Sequence, residues 1–193
     1  MVASPTVSVR MGRNFAAFLT LAAALTATTP GSAYGRSSPI VAVLPLAAVD
    51  TGVPYGLLPS PAELEVMTAD ARSGLRDAGV TLVPQSTIEH AMAALGFDQT
   101  APIRSCVVAQ CARRIGRAVH ADEVVVGGVT RVMAVVWGTQ FWIFDVRTGN
   151  VVSTIDAGFK GDVQSMELGD REATACLARA IEGKPRCRLD RGW

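Results

Sequence analysis

Apolar runs rich in β-branched and aromatic residues recur along residues 121–161, and in the last of these runs apolar and polar positions alternate with the two-residue period of a β-strand. The pattern predicts three consecutive antiparallel strands, at Val124–Met133, Trp137–Val146 and Val151–Phe159. Asp145–Asn150 is typical of a hairpin turn in which Gly149 supplies the positive φ angle. Paired glycines inside the first strand, Gly127 and Gly128, predict a bulge or a close approach by another part of the chain.

The preceding residues predict a β-α-β unit and two further helices. Ile40–Leu46 is a short, β-branched apolar run, typical of a strand that is buried on both faces. Ser60–Glu63 and Ser86–Glu89 each carry the Ser-x-x-Glu pattern of a capping box before a helix. A last helix is predicted within Val163–Glu182. The order β-α-β-α-α-β-β-β-α predicts an α/β (α+β) fold with a mixed sheet of about five strands and helices packed on the sheet.

The second strand of the trio is apolar on both faces. Phe141 and Ile143 point to one side, and Trp142, Phe144 and Val146 point to the other. Two explanations fit this pattern: helices of the domain cover both faces of the strand, or one face is a docking surface for a partner. The candidate partner surface consists of Trp137, Phe141, Trp142 and Phe144.

The N-terminal residues resemble a secretory signal. Arg10 and Arg13 are followed by the uncharged apolar run Phe15–Ala27, and Gly31–Ala33 offers small residues for cleavage. The pattern predicts a signal peptide at residues 1–33 and a single domain at 34–193, with Met1 or Met11 as the start. The apolar run is shorter than the roughly 20 residues of a membrane span, so no span is expected after cleavage. The signal predicts export to the periplasm. No cysteine follows the apolar run directly, so we do not expect a lipoprotein.

Four cysteines lie beyond the predicted signal: Cys106, Cys111, Cys176 and Cys187. An even number in an exported chain predicts disulfides. Three connectivities are open, and the near pairing, Cys106–Cys111 with Cys176–Cys187, is preferred. A zinc site is the alternative, which the spacing disfavours because neither pair has the C-x2-C separation.

Composition and motifs disfavour several classes of function. Removal of Arg10 and Arg13 with the signal leaves 16 Lys and Arg against 17 Asp and Glu, so no nucleic-acid partner is expected. No G-x-S-x-G motif or cluster of metal ligands is present. We therefore expect no enzyme, with no catalytic residue, cofactor or metal site. The arginines of residues 107–120 form a solvated helix face or bind an anion.

Three segments resemble a group of exported bacterial domains. IVAVLPL (40–46) is similar to that group's first strand, HADEVVVGGVTRV (120–132) to its glycine-containing strand, and FDVRTGNVV (144–152) to its hairpin. The group includes the curli-secretion lipoproteins, the amino-terminal domain of TolB and the activator lipoproteins of penicillin-binding proteins. A secreted bacterial family of unknown function shares the layout. The resemblance implies an α/β fold with a mixed sheet, and it implies no catalytic residue.

These expectations together favour a soluble periplasmic accessory or adaptor domain that binds a protein partner in the cell envelope. The alternative is a small-ligand or ion-binding domain, with a pocket beside Gly127 and Gly128 or at the loop Asp50–Ser60. An enzyme is the least favoured class. The identity of the partner and the oligomeric state stay open.

Overall fold

A computed structural model describes residues 38–50, 52, 58–97, 109–161 and 163–184, without the side chains of residues 163–168. All of these residues belong to one compact unit. The predicted signal peptide, residues 1–33, lies outside the described residues.

The described chain folds into six strands and four helices, and it confirms the predicted α/β class. The strands are β1 (Ile40–Val43), β2 (Ala47–Ala48), β3 (Thr81–Leu82), β4 (Glu123–Met133), β5 (Val136–Asp145) and β6 (Val151–Lys160). The helices are α1 (Pro61–Asp77), α2 (Gln85–Ala94), α3 (Ala109–Ala118) and α4 (Val163–Ile181). The strand β2 is the addition to the predicted order. It continues β1 after the interruption at Pro45, because proline has no N–H to donate to a neighbouring strand.

All six strands form one mixed sheet with the order β3-β1-β4-β5-β6, and β2 pairs with β4. β1 runs parallel to β3 and to β4. Parallel neighbours need a crossover connection, and helices make the connections here. β4, β5 and β6 form the predicted antiparallel meander. The sheet therefore has a parallel half and an antiparallel half, with β6 at one edge.

Helices cover the sheet on two sides, so two apolar layers form. α1 and α4 pack on the face that carries Val41, Val125 and Phe141. α2 and α3 pack on the opposite face, which carries Val124 and Phe144. The side chains of neighbouring strand residues alternate between these layers, as the two-residue period requires.

The first predicted capping box is confirmed and the second is wrong. At α1, Glu63 N donates to Ser60 Oγ at 3.3 Å, and Ser60 N donates to Glu63 Oε2 at 2.7 Å. α2 instead begins at Gln85, with Pro84 at its N-cap and no side-chain cap. Because the helix begins one residue before Ser86, this serine lies inside the first turn, where its hydroxyl does not cap.

We expect Ser60→Ala to lower the free energy of unfolding by about 1 kcal/mol, because the α1 terminus loses its capping acceptor. Urea denaturation monitored by circular dichroism measures this loss. Ser86→Ala is the matched control, since Ser86 is exposed and caps nothing. Equal losses in the two variants would show that the capping box contributes nothing specific.

Close packing explains the glycine at position 127, so of the two predicted explanations the close approach is confirmed and the bulge is wrong. β4 and β5 stay in register through Gly127, and the register shift lies between Arg131 and Met133. A Cβ at Gly127 would lie 2.1 Å from Leu46 Cδ2 and 3.0 Å from the Phe141 ring. The position therefore requires glycine because the neighbouring side chains fill the space beside it.

Candidate functional site

The tip of the β4–β5 hairpin and the start of α1 meet at one end of the sheet. The surface there is built from six residues, and we call it the hairpin-end surface. Its members are Leu58, Glu63, Val66, Arg131, Met133 and Val135. Leu58 precedes the α1 cap by two residues, and Val66 lies one turn after Glu63. Met133 is the last residue of β4, and Val135 lies in the connection from β4 to β5.

Arg131 joins the two elements of this surface. Its Nη1 forms an ion pair with Glu63 Oε1 at 3.3 Å, and its Nη2 donates to the Ala134 carbonyl at 3.2 Å. The guanidinium carbon lies 4.3 Å from the centroid of the Trp137 ring. Trp137 is only 2 % exposed, so a fixed aromatic ring supports the cation from the side of the core.

Glu63 is held as firmly as its partner. Its carboxylate accepts hydrogen bonds from both the backbone N–H and the hydroxyl of Ser60, at 2.7 and 2.9 Å. The backbone hydrogen bond from Ser60 is the main cause that lowers the pKa of Glu63, and the Ser60 hydroxyl and Arg131 act in the same direction. The carboxylate is therefore charged at neutral pH, and the ion pair is positioned by the capping box.

Exposed apolar side chains lie within five residues of Arg131 or Glu63, in or beside the two elements that this ion pair joins. Met133 is 62 % exposed, and Leu58, Val66 and Val135 are each about half exposed or more. An apolar group of this kind around a positioned arginine is typical of protein interfaces, whose cores are enriched in methionine and arginine. The surface could therefore bury its apolar side chains against another protein while the ion pair fixes the orientation.

The sequence-predicted partner surface on β5 is wrong for three of its four residues. Trp137 and Phe141 lie under α1 and α4, and Phe144 lies in the layer of α2 and α3. Trp142 is half-buried at the border of that second layer. Because helices cover both faces of β5, its apolar residues are core and do not form a docking surface.

The space beside Gly127, where the alternative function would place a ligand pocket, is filled by Leu46 and Phe141. Most of the second predicted pocket, the loop Asp50–Ser60, lies outside the described residues. Within the described ranges, no group of three His, Cys, Asp or Glu side chains could hold a metal ion. Among the helices of the same ranges, none is long and apolar enough to cross a membrane.

The preferred disulfide pairing stays a prediction, since Cys106 and Cys187 lie outside the described residues. Cys111 is half-buried on α3, and Cys176 is buried on α4. α3 and α4 pack on opposite faces of the sheet. The geometry therefore excludes the connectivity that requires a Cys111–Cys176 bond, because a disulfide needs Cα atoms within about 7 Å.

Two of the arginines on α3 are used within the fold. Arg113 donates to the carbonyls of Val146 and Arg147 at 3.2 and 2.8 Å, which fixes the end of β5. The Arg114 guanidinium lies 5.6 Å from the centroid of the Phe97 ring. These contacts favour a structural role over the predicted alternative of anion binding.

Two buried carboxyl groups have raised pKa values. Burial, followed by the charge of Asp70, raises the pKa of Asp170 to about 7. Burial, followed by the charges of Asp145 and Asp122, raises the pKa of Glu123 to about 7. Asp170 lies on α4, and Glu123 lies at the start of β4, at the opposite end of that strand from Met133, so neither group belongs to the hairpin-end surface.

The sequence of this domain matches the profile of a known protein family. Residues 39–168 match the profile of DUF3280, whose description is "Protein of unknown function (DUF2380)". The chain belongs to the DUF3280 family. The match spans the sheet, the first three helices and the start of α4, and it confirms the predicted membership of a family of unknown function. No curated protein matches the sequence.

Solved structures share the fold of this DUF3280 chain at low sequence identity. The NMR structure of E. coli LpoB aligns with a TM-score of 0.51 at 19% identity, over 63% of this chain and 56% of that one. Lipoprotein GNA1162 from Neisseria meningitidis aligns with a TM-score of 0.50 at 16% identity, over 65% and 83% of the two chains. The LpoB C-terminal domain from Salmonella enterica aligns with a TM-score of 0.48 at 17% identity, over 64% and 84%. The chain thus spans little more than half of the E. coli LpoB chain.

Sequence reasoning missed the hairpin-end surface of this DUF3280 protein, although two signals were present. The tight connection after β4 carries Met133 and Val135, where hairpin turns usually carry polar residues. Leu58 belongs to a loop that is unusually apolar. Neither signal shows that the two segments meet, because Arg131 and Glu63 are 68 residues apart in the chain.

Proposed function

We propose that this protein is a non-catalytic accessory domain of the bacterial cell envelope, which binds a protein partner through the hairpin-end surface. The observation that carries the proposal is the set of exposed apolar side chains around the Arg131–Glu63 ion pair. The proposal places the protein in the periplasm, as a soluble domain that is exported by its signal peptide and is not a lipoprotein.

The composition of the surface favours a protein partner. Its apolar groups come from two elements that the ion pair holds together, so they present a preformed patch. Burial of exposed apolar area contributes roughly 25 cal/mol per Å². Arg131 keeps its flat face on Trp137 and already has its carboxylate, so binding would leave no unpaired buried charge.

Sequence features support the proposed compartment. The N-terminal residues resemble a secretory signal, and the four cysteines fit an oxidising environment. The fold is shared with a protein whose name describes it as a lipoprotein, GNA1162. Fractionation of bacteria that express the full chain should recover the mature protein in the periplasmic fraction, and recovery in the cytoplasm alone would contradict the proposed location.

Affinity measurements with surface variants test the proposed binding site. The tagged protein is cross-linked and captured from the envelope of its own host, the captured partner is purified, and its dissociation constant is measured by calorimetry. We expect Met133→Asp combined with Val135→Asp to weaken binding by about tenfold or more, because each substitution places a charge in the apolar contact.

Val151→Asp combined with Val152→Asp is the matched control. These valines are equally exposed, but they lie at the opposite end of the meander from Met133. We expect the control variant to bind the partner within twofold of the wild type. The proposal fails if the two double variants lose the same affinity, or if the captured protein binds neither the wild type nor the variants in a saturable way.

A further inference from the structure

Among the described residues, β6 is an edge strand with no strand paired on its outer side. It stands last in the sheet order, and it pairs with β5 on its inner side. No other strand of the described chain pairs with β6. An edge of this length is a template for pairing with another strand unless it is covered or charged.

The hydrogen bonds to β5 determine which residues face outward. Gly161 N donates to the Val135 carbonyl at 2.9 Å, so Gly161 belongs to a hydrogen-bonded pair. In an antiparallel ladder such pairs alternate with pairs whose N–H and C=O groups point away. The backbone groups of Thr154, Asp156, Gly158 and Lys160 therefore point away from β5, and they form the free ladder of the edge.

Only part of this ladder is regular. The register between β5 and β6 shifts between Ile143 and Phe144, opposite Val151 to Ser153. A bulge of this kind twists the strand and interrupts pairing on its outer side. The regular outer ladder therefore runs from Ser153 to Lys160.

The charges of β6 select one pairing with a second copy of the same strand. Asp156 and Lys160 are its two charged residues, and both are exposed on the same face. An antiparallel pair with Gly158 on the two-fold axis places Asp156 opposite Lys160 of the second copy, twice. An axis at Asp156 would instead oppose two carboxylates, which is unfavourable.

The apolar face of β6 favours the same pairing. With Gly158 on the axis, Phe159 lies opposite Ala157 of the second copy, and Ile155 lies opposite Gly161 of the second copy. Each large side chain thus faces a small one. An axis one residue earlier, at Ala157, would place Phe159 against Ile155 of the second copy and would form no Asp–Lys pair.

We propose that two copies of this protein associate through β6, in antiparallel pairing with Gly158 on the two-fold axis, so that one sheet continues across the dimer. Asp156 is already oriented for this contact, because its Oδ1 accepts a hydrogen bond from Gln140 and leaves Oδ2 for the lysine of the second copy. The contact uses β6 and leaves Met133 outside the paired residues. The dimer therefore goes beyond the proposed partner binding and can fail independently of it.

Charge reversal and charge exchange test the pairing. Sedimentation equilibrium should show a reversible dimer of the wild-type chain. We expect Asp156→Lys and Lys160→Asp, each alone, to raise the dimer dissociation constant by about tenfold or more. In either variant, positions 156 and 160 of the two copies carry the same charge, and these positions face each other at two places in the dimer. The double variant Asp156→Lys with Lys160→Asp should restore dimerisation to within about threefold of the wild type.

Two controls keep the test decisive. Glu65→Lys changes an exposed charge on α1, outside the paired strand, and should leave the dimer unchanged. Asp156→Lys also removes the hydrogen bond from Gln140, so Lys160→Asp carries the test if thermal melts show that the first variant is unfolded. A wild-type chain that stays monomeric at high concentration overturns the proposal. A dimer that is insensitive to both single reversals, or that the double variant fails to restore, overturns it equally.

Discussion

Trp137→Ala should lower the free energy of unfolding by about 3–5 kcal/mol. Trp137 is among the largest fully buried side chains of the described chain, and it contacts the layer under α1 and α4. Truncation removes this apolar burial and leaves a cavity that the surrounding strands cannot fill, since they are fixed by the ladder on both sides of β5. It also removes the ring that supports the Arg131 guanidinium.

Urea denaturation monitored by circular dichroism measures the effect. Trp142→Ala is the matched control, because Trp142 lies on the same strand but is half-buried, and its loss should be clearly smaller. The contradicting outcome is a Trp137→Ala variant that no longer binds the partner but whose free energy of unfolding falls by less than about 1 kcal/mol. It would mean that Trp137 is a contact residue, as the apolar pattern of β5 allows, and is not core.

Asp170→Asn should make the folded protein more stable at pH 8, by up to about 4 kcal/mol, and should change its stability little at pH 4. Asp170 is 1 % exposed, and neither of its carboxyl oxygens has a hydrogen-bond partner among the described residues. The α1–α4 contact above it is tight, since a Cβ at Gly74 would lie 2.7 Å from Thr174 Cγ2. Ionised Asp170 is therefore a buried charge without compensation, whereas asparagine resembles its protonated form.

The direction of the pH dependence follows from the raised pKa. Burial and the charge of Asp70 raise the pKa of Asp170 from 3.8 to about 7 in the folded state. The folded state thus holds the proton more tightly than the unfolded state, so this contribution to stability is complete below pH 3.8. It decreases as the pH rises to about 7 and is absent above that value.

The difference in the free energy of unfolding between the wild type and Asp170→Asn, measured across this pH range, isolates the contribution of Asp170. Burial also raises the pKa of Glu123 to about 7, but Glu123 contributes equally to both proteins and cancels in the difference. Asp70→Asn provides a second control, because it removes the neighbouring negative charge and should move the decrease to lower pH. Parallel stability curves for wild type and Asp170→Asn would contradict the assignment.

The sequence predicts most of the fold because its signals are local. The apolar runs and turn residues of 121–161 predict the antiparallel meander, and the turn with Gly149 at φ 79° forms as expected. The Ser-x-x-Glu pattern, by contrast, caps α1 and fails at α2. The pattern at Ser86 cannot show that the helix begins one residue earlier, after Pro84.

The candidate site could not be predicted because its signals are not local. The apolar residues of β5 alternate in the same way whether helices or a partner cover them, so the strand alone does not distinguish core from surface. The Arg131–Glu63 pair depends on how the β4–β5 tip meets α1, which is a tertiary contact. The raised pKa of Asp170 likewise depends on burial in the fold and on Asp70 of α1, and not on the pattern of its own helix.

Site-specific photo-cross-linking in living cells tests the central claim most directly. A photoreactive amino acid is placed at position 133, and at position 151 as the control, because both side chains are exposed. The account predicts one discrete adduct with an envelope protein from position 133, which the Val135→Asp substitution abolishes, and no such adduct from position 151. An adduct from position 151 alone, or the same adducts from both positions, would contradict the claim that the hairpin-end surface binds the partner.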